Sequence, residues 1–171
     1  MDNIQIENML FQHCITKPYF MGVFSADASP KFNKKKKNIF IFNTSDSNEP
    51  GKHWIAILLQ NHLDKRKNIY FDSYGFPPKD KRFIKFMKNS YIYNKKPLQH
   101  EWSTVCGQWC IYFTFMMSMK KQFNSIFLKF SSDPKQFIKN DYIVNRFVNK
   151  MFGTKLKVIN KTFIRKKIQK I

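Results

Sequence analysis

Cys106 is followed at once by Gly107 and lies seven residues after Gln99, within the stretch LQHEWSTVCGQWC. Upstream, His53 and Trp54 open the apolar run HWIAILLQ, and Asp72 closes the run IYFD. These side-chain types can build a nucleophile. A free thiol titrates near ~8.5, and an imidazolium beside it at a helix start lowers that by several units. If the strands carrying His53 and Asp72 are neighbours, Asp72 accepts from one ring nitrogen while the other faces the sulfur. The resulting thiolate attacks carbonyl carbon and creates an oxyanion that needs donors already in place. The N–H of Cys106 supplies one donor and the Gln99 carboxamide a second. Gly107, lacking a side chain, lets a substrate backbone approach the sulfur.

Each residue also has an ordinary reading when taken singly. A cysteine in an apolar helix is most often a packing residue, and Cys14 and Cys110 are read that way. His53 suits a strand edge, Asp72 a turn, and Gln99 a loop. A zinc site is the rival collective account, with Cys106 and Cys110 at an allowed Cys-x3-Cys spacing plus His53 and His62. A long apolar helix running through both cysteines is an awkward ligand platform, and no second cysteine pair exists. No metal is expected.

The elements that must position these residues follow from hydrophobic pattern. Residues 3–14 carry Ile4, Ile6, Met9, Leu10 and Cys14 at roughly helical spacing. PYFMGVFSADASPKF reads as a loop-rich stretch, and NIFIFN (38–43) as a strand. TSDSNEPG is a cluster of turn formers. HWIAILLQ is continuous enough to be a central strand covered on both faces, and IYFDSYGF is a further strand ending at Gly75 and Pro77-Pro78. Residues 79–89 form a basic helix with Phe83, Ile84, Phe86 and Met87 on one side. A loop through NKKPLQHEWST leads into CGQWCIYFTFMMSM, apolar on nearly every side and read as a buried helix beginning at Cys106. Ser132 or Asp133 caps a helix over 134–151 with Phe137, Ile138, Tyr142, Ile143, Phe147, Val148 and Met151 facing inward. The reading is a single α+β domain over 1–171, with a basic tail from about 155.

Composition narrows the classes. The chain has 171 residues and nineteen Phe, enough for one sizeable core. Five glycines and no GxGxxG or Walker-type run argue against a phosphate loop. The N-terminus lacks the pattern of a signal peptide, and the longest apolar-leaning stretch, 105–119, is broken by Gln108, Thr114 and Ser118, short of the roughly 20 residues that span a bilayer. An intracellular protein with reduced thiols and no membrane role is expected. Thirty-one Lys and Arg against eleven Asp and Glu give a formal charge of +20. Such an excess favours a polyanionic partner, with contacts mainly to phosphate. Lys34, Lys35, Lys36 and Lys37, and Arg165, Lys166 and Lys167 in the tail, are the nucleic-acid candidates.

The order His, Asp, Gln, Cys, with the local sequence around each, resembles the adenovirus-type cysteine endopeptidases (adenain and its relatives). NTSDSNEPGKHWIAILLQN is similar to the stretch around their catalytic histidine. IYFDSYGFPPKDKRF resembles their acid-bearing segment, and LQHEWSTVCGQWCIYFTFMM their glutamine, seven-residue step and Cys-Gly helix start. KPYFMGVFSADASPKF is similar to a further block, so the likeness runs over most of 17–119. The resemblance implies His53 as general base, Asp72 as its orienting carboxylate, Cys106 as nucleophile and Gln99 as oxyanion donor, with Gly51, Trp54 and Gly107 lining a narrow cleft. It implies an α+β fold in which the Cys-bearing helix packs on a mixed, mostly antiparallel sheet with flanking helices. It also implies cleavage of viral or transposon capsid and core precursors after glycine, by a monomer needing no cofactor for its chemistry, in the virion and host nucleus if the source is viral. The wider group includes SUMO-specific proteases, which makes deconjugation of a ubiquitin-like modifier the alternative. A basic nucleic-acid-binding core protein with inactive remnants is the alternative from another class. Two departures stand out. Adenain itself has Glu where this chain has Asp72. Its activation by double-stranded DNA agrees with the +20 charge, but its disulfide-linked activating peptide has no counterpart cysteine here in 79–98.

Overall fold

The computed structural model describes residues 1–153. Its elements run α1 (Asn3–Gln12), β1 (Phe20–Phe24), β2 (Asn38–Asn43), β3 (Trp54–Leu59), β4 (Asn68–Phe71), α2 (Lys81–Phe86), β5 (Tyr91–Tyr93), α3 (Cys106–Ser118) and α4 (Phe137–Phe152). Two short 3-10 turns, Ser125–Phe127 and Pro134–Gln136, precede α4. The tail candidates Arg165, Lys166 and Lys167 lie outside the described residues. Among the described residues no helix is long and apolar enough to cross a membrane.

Among the described residues the strands form one sheet in chain order, β1-β2-β3-β4-β5. β3 is central, and every residue from Ile55 to Leu59 is buried, as its unbroken apolar run requires. Side chains alternate across the sheet. Ile39, Ile41, Ala56, Leu58, Ile69 and Phe71 join the core beneath α1, α3 and α4. Phe40, Phe42, Ile55, Ile57, Leu59 and Tyr70 join a second core closed by Phe83 and Met87 around α2.

The sheet is mixed, as expected, with its antiparallel pairs at the centre. β2–β3 and β3–β4 are antiparallel, whereas the outer pairs β1–β2 and β4–β5 are parallel. Residues 25–37 and 72–90 are long enough for the crossovers that parallel neighbours need. β1 and β5 went unread in the sequence because each is a short outer strand, and β1 carries an irregularity between Phe20 and Gly22 that breaks the period-two pattern.

α1 begins on a capping box, in which the Asp2 carboxylate accepts from Gln5 N (2.8 Å) and the Gln5 carboxamide accepts from Asp2 N (3.2 Å). Cys14, expected to pack, is exposed just beyond α1. α3 is the buried helix anticipated, with Trp109, Ile111, Tyr112 and Phe113 at most 1 % exposed. Its C-terminal carbonyls gain a cation: Lys37 Nζ donates to the Met117 carbonyl at 2.7 Å. α4 starts later than expected, at Phe137, after a turn capped by Asp133. Its inward face also differs. Ile138 and Tyr142 are exposed, while Asn140 and Asp141 are each only 2 % exposed.

Candidate active site

Antiparallel pairing puts the start of β3 and the end of β4 at the same end of the sheet. His53 immediately precedes β3 and Asp72 immediately follows β4, so the two meet without any long-range accident. His53 Nε2 and Asp72 Oδ1 are 2.9 Å apart. Asp72 is buried, and its Oδ1 also accepts from Tyr74 N at 2.8 Å. Asn94 grips its main chain from both sides, accepting from Asp72 N and donating to the Asp72 carbonyl. α3 presents its first residue, Cys106, to the same place, close enough that imidazole and sulfur favour each other's charged forms. With Nε2 on Asp72, Nδ1 is the nitrogen left for Sγ.

The electrostatics favour an ion pair. Burial works against a charged His53, but hydrogen bonds to Asp72 and Cys106 and their negative charge outweigh it, raising its pKa to about 9. Burial likewise works against a charged Cys106. The His53 hydrogen bond and charge, then the N–H groups of Trp54 and Gly107, outweigh it and lower the thiol below its ordinary value. The Trp54 N–H is available because the β3–β4 ladder ends at Ala56↔Phe71. One turn further along α3, complete burial pushes the Cys110 thiol far up, leaving it inert.

Gln99 is 1 % exposed on the loop before α3. Its Oε1 accepts from Ser73 Oγ at 2.6 Å, and its Nε2 donates to the Ser103 carbonyl (3.0 Å) and the Tyr74 hydroxyl (3.3 Å). The loop is pressed against the turn that follows Asp72. Gly75 has φ +75°, and a Cβ there would lie 2.7 Å from both Lys96 C and Pro97 N, so only glycine fits. From the other side, two consecutive residues of α4 bracket the glutamine. Asn140 Nδ2 donates to the Leu98 carbonyl (3.0 Å), and Asp141 accepts from His100 N (3.1 Å) and Trp109 Nε1 (2.9 Å). This explains why α4 buries that polar pair. Burial raises the Asp141 carboxyl despite these donors. Asn140→Ala is expected to cost about 1–3 kcal/mol of stability by orphaning the Leu98 and Ser131 backbone groups, measured by denaturant unfolding.

The remaining candidates distribute unevenly. Trp54 is half-buried beside Cys106. The space left by Gly107 is filled by Met1 and Ile6, 3.3 and 3.4 Å from a would-be Cβ, rather than left open as cleft. Gly51 lies over Asn43, whose Nδ2 would be 2.6 Å from a Cβ. Lys37, half-buried and committed to α3, also sits over the Tyr19 ring (5.0 Å); Lys35 and Lys36 are exposed. His62 lies past the far end of β3 from His53, its Nδ1 on the Lys34 carbonyl at 2.8 Å, so the four zinc candidates do not converge. No group of three or more potential metal ligands occurs among the described residues. The sequence reading missed Ser73, Tyr74, Asn94, Asn140 and Asp141. The Tyr74 ring lies 4.8 Å from the His53 ring at 30°. Its signal was adjacency to Asp72.

Known proteins resemble this chain in part of its sequence and in its fold. Residues 20–96, which include His53 and Asp72, match the family model of the adenovirus endoprotease. No curated protein matches significantly. Among solved structures, the chain is similar to the ASFV pS273R protease, with TM-score 0.56 and 16% identity over 82% of this chain and 65% of that one. The selenomethionine form of that protease gives TM-score 0.53 and 18% identity over 82% and 66%. This chain thus spans just under two thirds of the length of that protein and shares its fold.

Proposed function

We propose that this chain, whose residues 20–96 match the adenovirus endoprotease family model, is a cysteine endopeptidase working through a thioester acyl-enzyme. The observation that carries this reading is the partly buried series Cys106–His53–Asp72, in which the thiol is lowered and the imidazole raised. The Cys106 thiolate attacks the scissile carbonyl carbon, forming a C–S bond and an oxyanion. The Cys106 N–H and the Gln99 carboxamide stabilise that charge. The His53 imidazolium gives its proton to the leaving amine as the C–N bond breaks. Neutral His53 then takes a proton from water, which attacks the thioester and releases the acid and the thiolate. Asp72 holds the ring throughout.

The family likeness supports capsid or core precursors cleaved after glycine as substrates. Mass spectrometry of the products released from candidate capsid and core precursor proteins identifies the site. The net charge of +20 and the exposed Lys35 and Lys36 support double-stranded DNA as a partner.

The chemistry is tested by pH. His53 keeps its proton up to about 9 and loses it as pH rises through that value. Peptidase kcat/KM is therefore expected to rise through the lowered thiol pKa, hold a plateau and fall near pH 9, the two limbs belonging to the coupled pair. Iodoacetamide should modify Cys106 far faster than the exposed Cys14 at neutral pH. Equal rates at the two thiols would remove the stabilised thiolate and with it this function.

A further inference from the structure

We propose that Ser73 is a positioning residue for this reaction: its hydroxyl ties down the oxygen end of the Gln99 carboxamide, in the orientation that the Ser103 carbonyl selects, and so holds the NH2 toward the developing oxyanion. The inference rests on the reading of Gln99 as oxyanion donor.

The two ends of a carboxamide occupy nearly the same volume, so packing alone does not tell them apart; only their partners do. A reversed amide would present a lone pair to the oxyanion in place of a hydrogen. Around Gln99 the partners are unequal. Ser73 Oγ faces Oε1 at 2.6 Å, and the Ser103 carbonyl, which can only accept, faces Nε2 at 3.0 Å. Reversal would set one carbonyl oxygen against another. Ser73 is 0 % exposed, so bulk water does not reach its hydroxyl to substitute for it.

The main chain of the same residue strengthens the grip. The Ser73 carbonyl accepts from both Leu98 N (2.9 Å) and Gln99 N (3.1 Å). Ser73 therefore fixes where the glutamine backbone sits and also holds its side chain. The direction in which the NH2 points is marked by Tyr74, whose hydroxyl accepts from it while its ring lies against His53. Ser73 also follows Asp72 directly, so the holder of the base and the holder of the oxyanion donor are consecutive residues of one turn.

The test is Ser73→Ala, alone and combined with Gln99→Ala, with kinetics beside iodoacetamide labelling. Ser73→Ala should lower kcat roughly 10- to 100-fold with KM changed less than about threefold. Alkylation of Cys106, which needs the ion pair but no oxyanion donor, should stay within about twofold. In the Gln99→Ala background the same change should cost less than about twofold, because the group it positions is gone. An unaffected kcat, or losses that multiply in the double variant, would overturn the proposal. Should the alanine variant fail to melt cooperatively, Ser73→Thr keeps the donor. Its kcat within about tenfold of the parent supports the role, and a loss matching Gln99→Ala overturns it. Parent protein that neither cleaves peptides nor labels faster at Cys106 than at the exposed Cys14 would instead sink the peptidase reading itself.

Discussion

Cys106→Ala protein is expected to fold normally and to lose peptide cleavage by about 10⁴-fold or more. No neighbouring group can replace the sulfur, since Cys110 is buried with its thiol pushed far up. Alanine suits the first position of a helix, and Cys106 is not a fully buried packing residue, so the melting temperature should move by no more than about 3 °C. A second readout comes from the base. With the sulfur gone, His53 loses one of the two hydrogen bonds that hold its proton, and its pKa should fall from about 9 while Asp72 still keeps it from dropping freely. Nuclear magnetic resonance titration of the ring reads this directly. Full turnover by purified Cys106→Ala protein would end the assignment of the nucleophile.

Gln99→Ala is expected to lower kcat by roughly 10²–10³, the size associated with removing one of two oxyanion donors. The loss should appear in kcat rather than KM, because the carboxamide bonds a negative oxygen more strongly than a neutral carbonyl. Cys106 labelling should be retained, since alkylation passes through no tetrahedral oxyanion. The substitution also leaves the Ser73 hydroxyl and the Ser103 carbonyl without their partner in a buried site, costing about 1–3 kcal/mol. The assays therefore belong well below the melting transition. A Gln99→Ala enzyme as fast as its parent would move the second donor elsewhere.

The parts of this site that could be read from sequence are those written in local patterns. An unbroken apolar run located β3, and the apolar helix opening at Cys106 was visible because almost every one of its faces is buried. A short polar connection between two strands predicts an antiparallel pair, which brings His53 to Asp72 with no further information. The groups that hold those residues left no such trace. Asn94 and Asn140 act on backbone carbonyls and amides, which every residue carries, so nothing at positions 72 or 98 announces them. On α4, Phe137, Ile143, Phe147 and Val148 face the core as expected, but Asn140 and Asp141, held by hydrogen bonds to the Gln99 loop and Trp109, are buried while Ile138 and Tyr142 are exposed. Lys37 looked like one member of a charged run, yet its ammonium closes a helix end.

The phenolic oxygen of Tyr74, 3.3 Å from the Gln99 amide, has a consequence for timing. A carbonyl arriving at that amide exchanges one neutral acceptor for another, so simple docking gains little from the contact. Once attack has placed charge on the arriving atom, the comparison becomes one of an anion against a phenol, and a charge-assisted bond is roughly twice as strong as a neutral one. On the role proposed for Gln99, the resident tyrosine subtracts from the affinity for intact substrate while leaving the help at the barrier's summit in place.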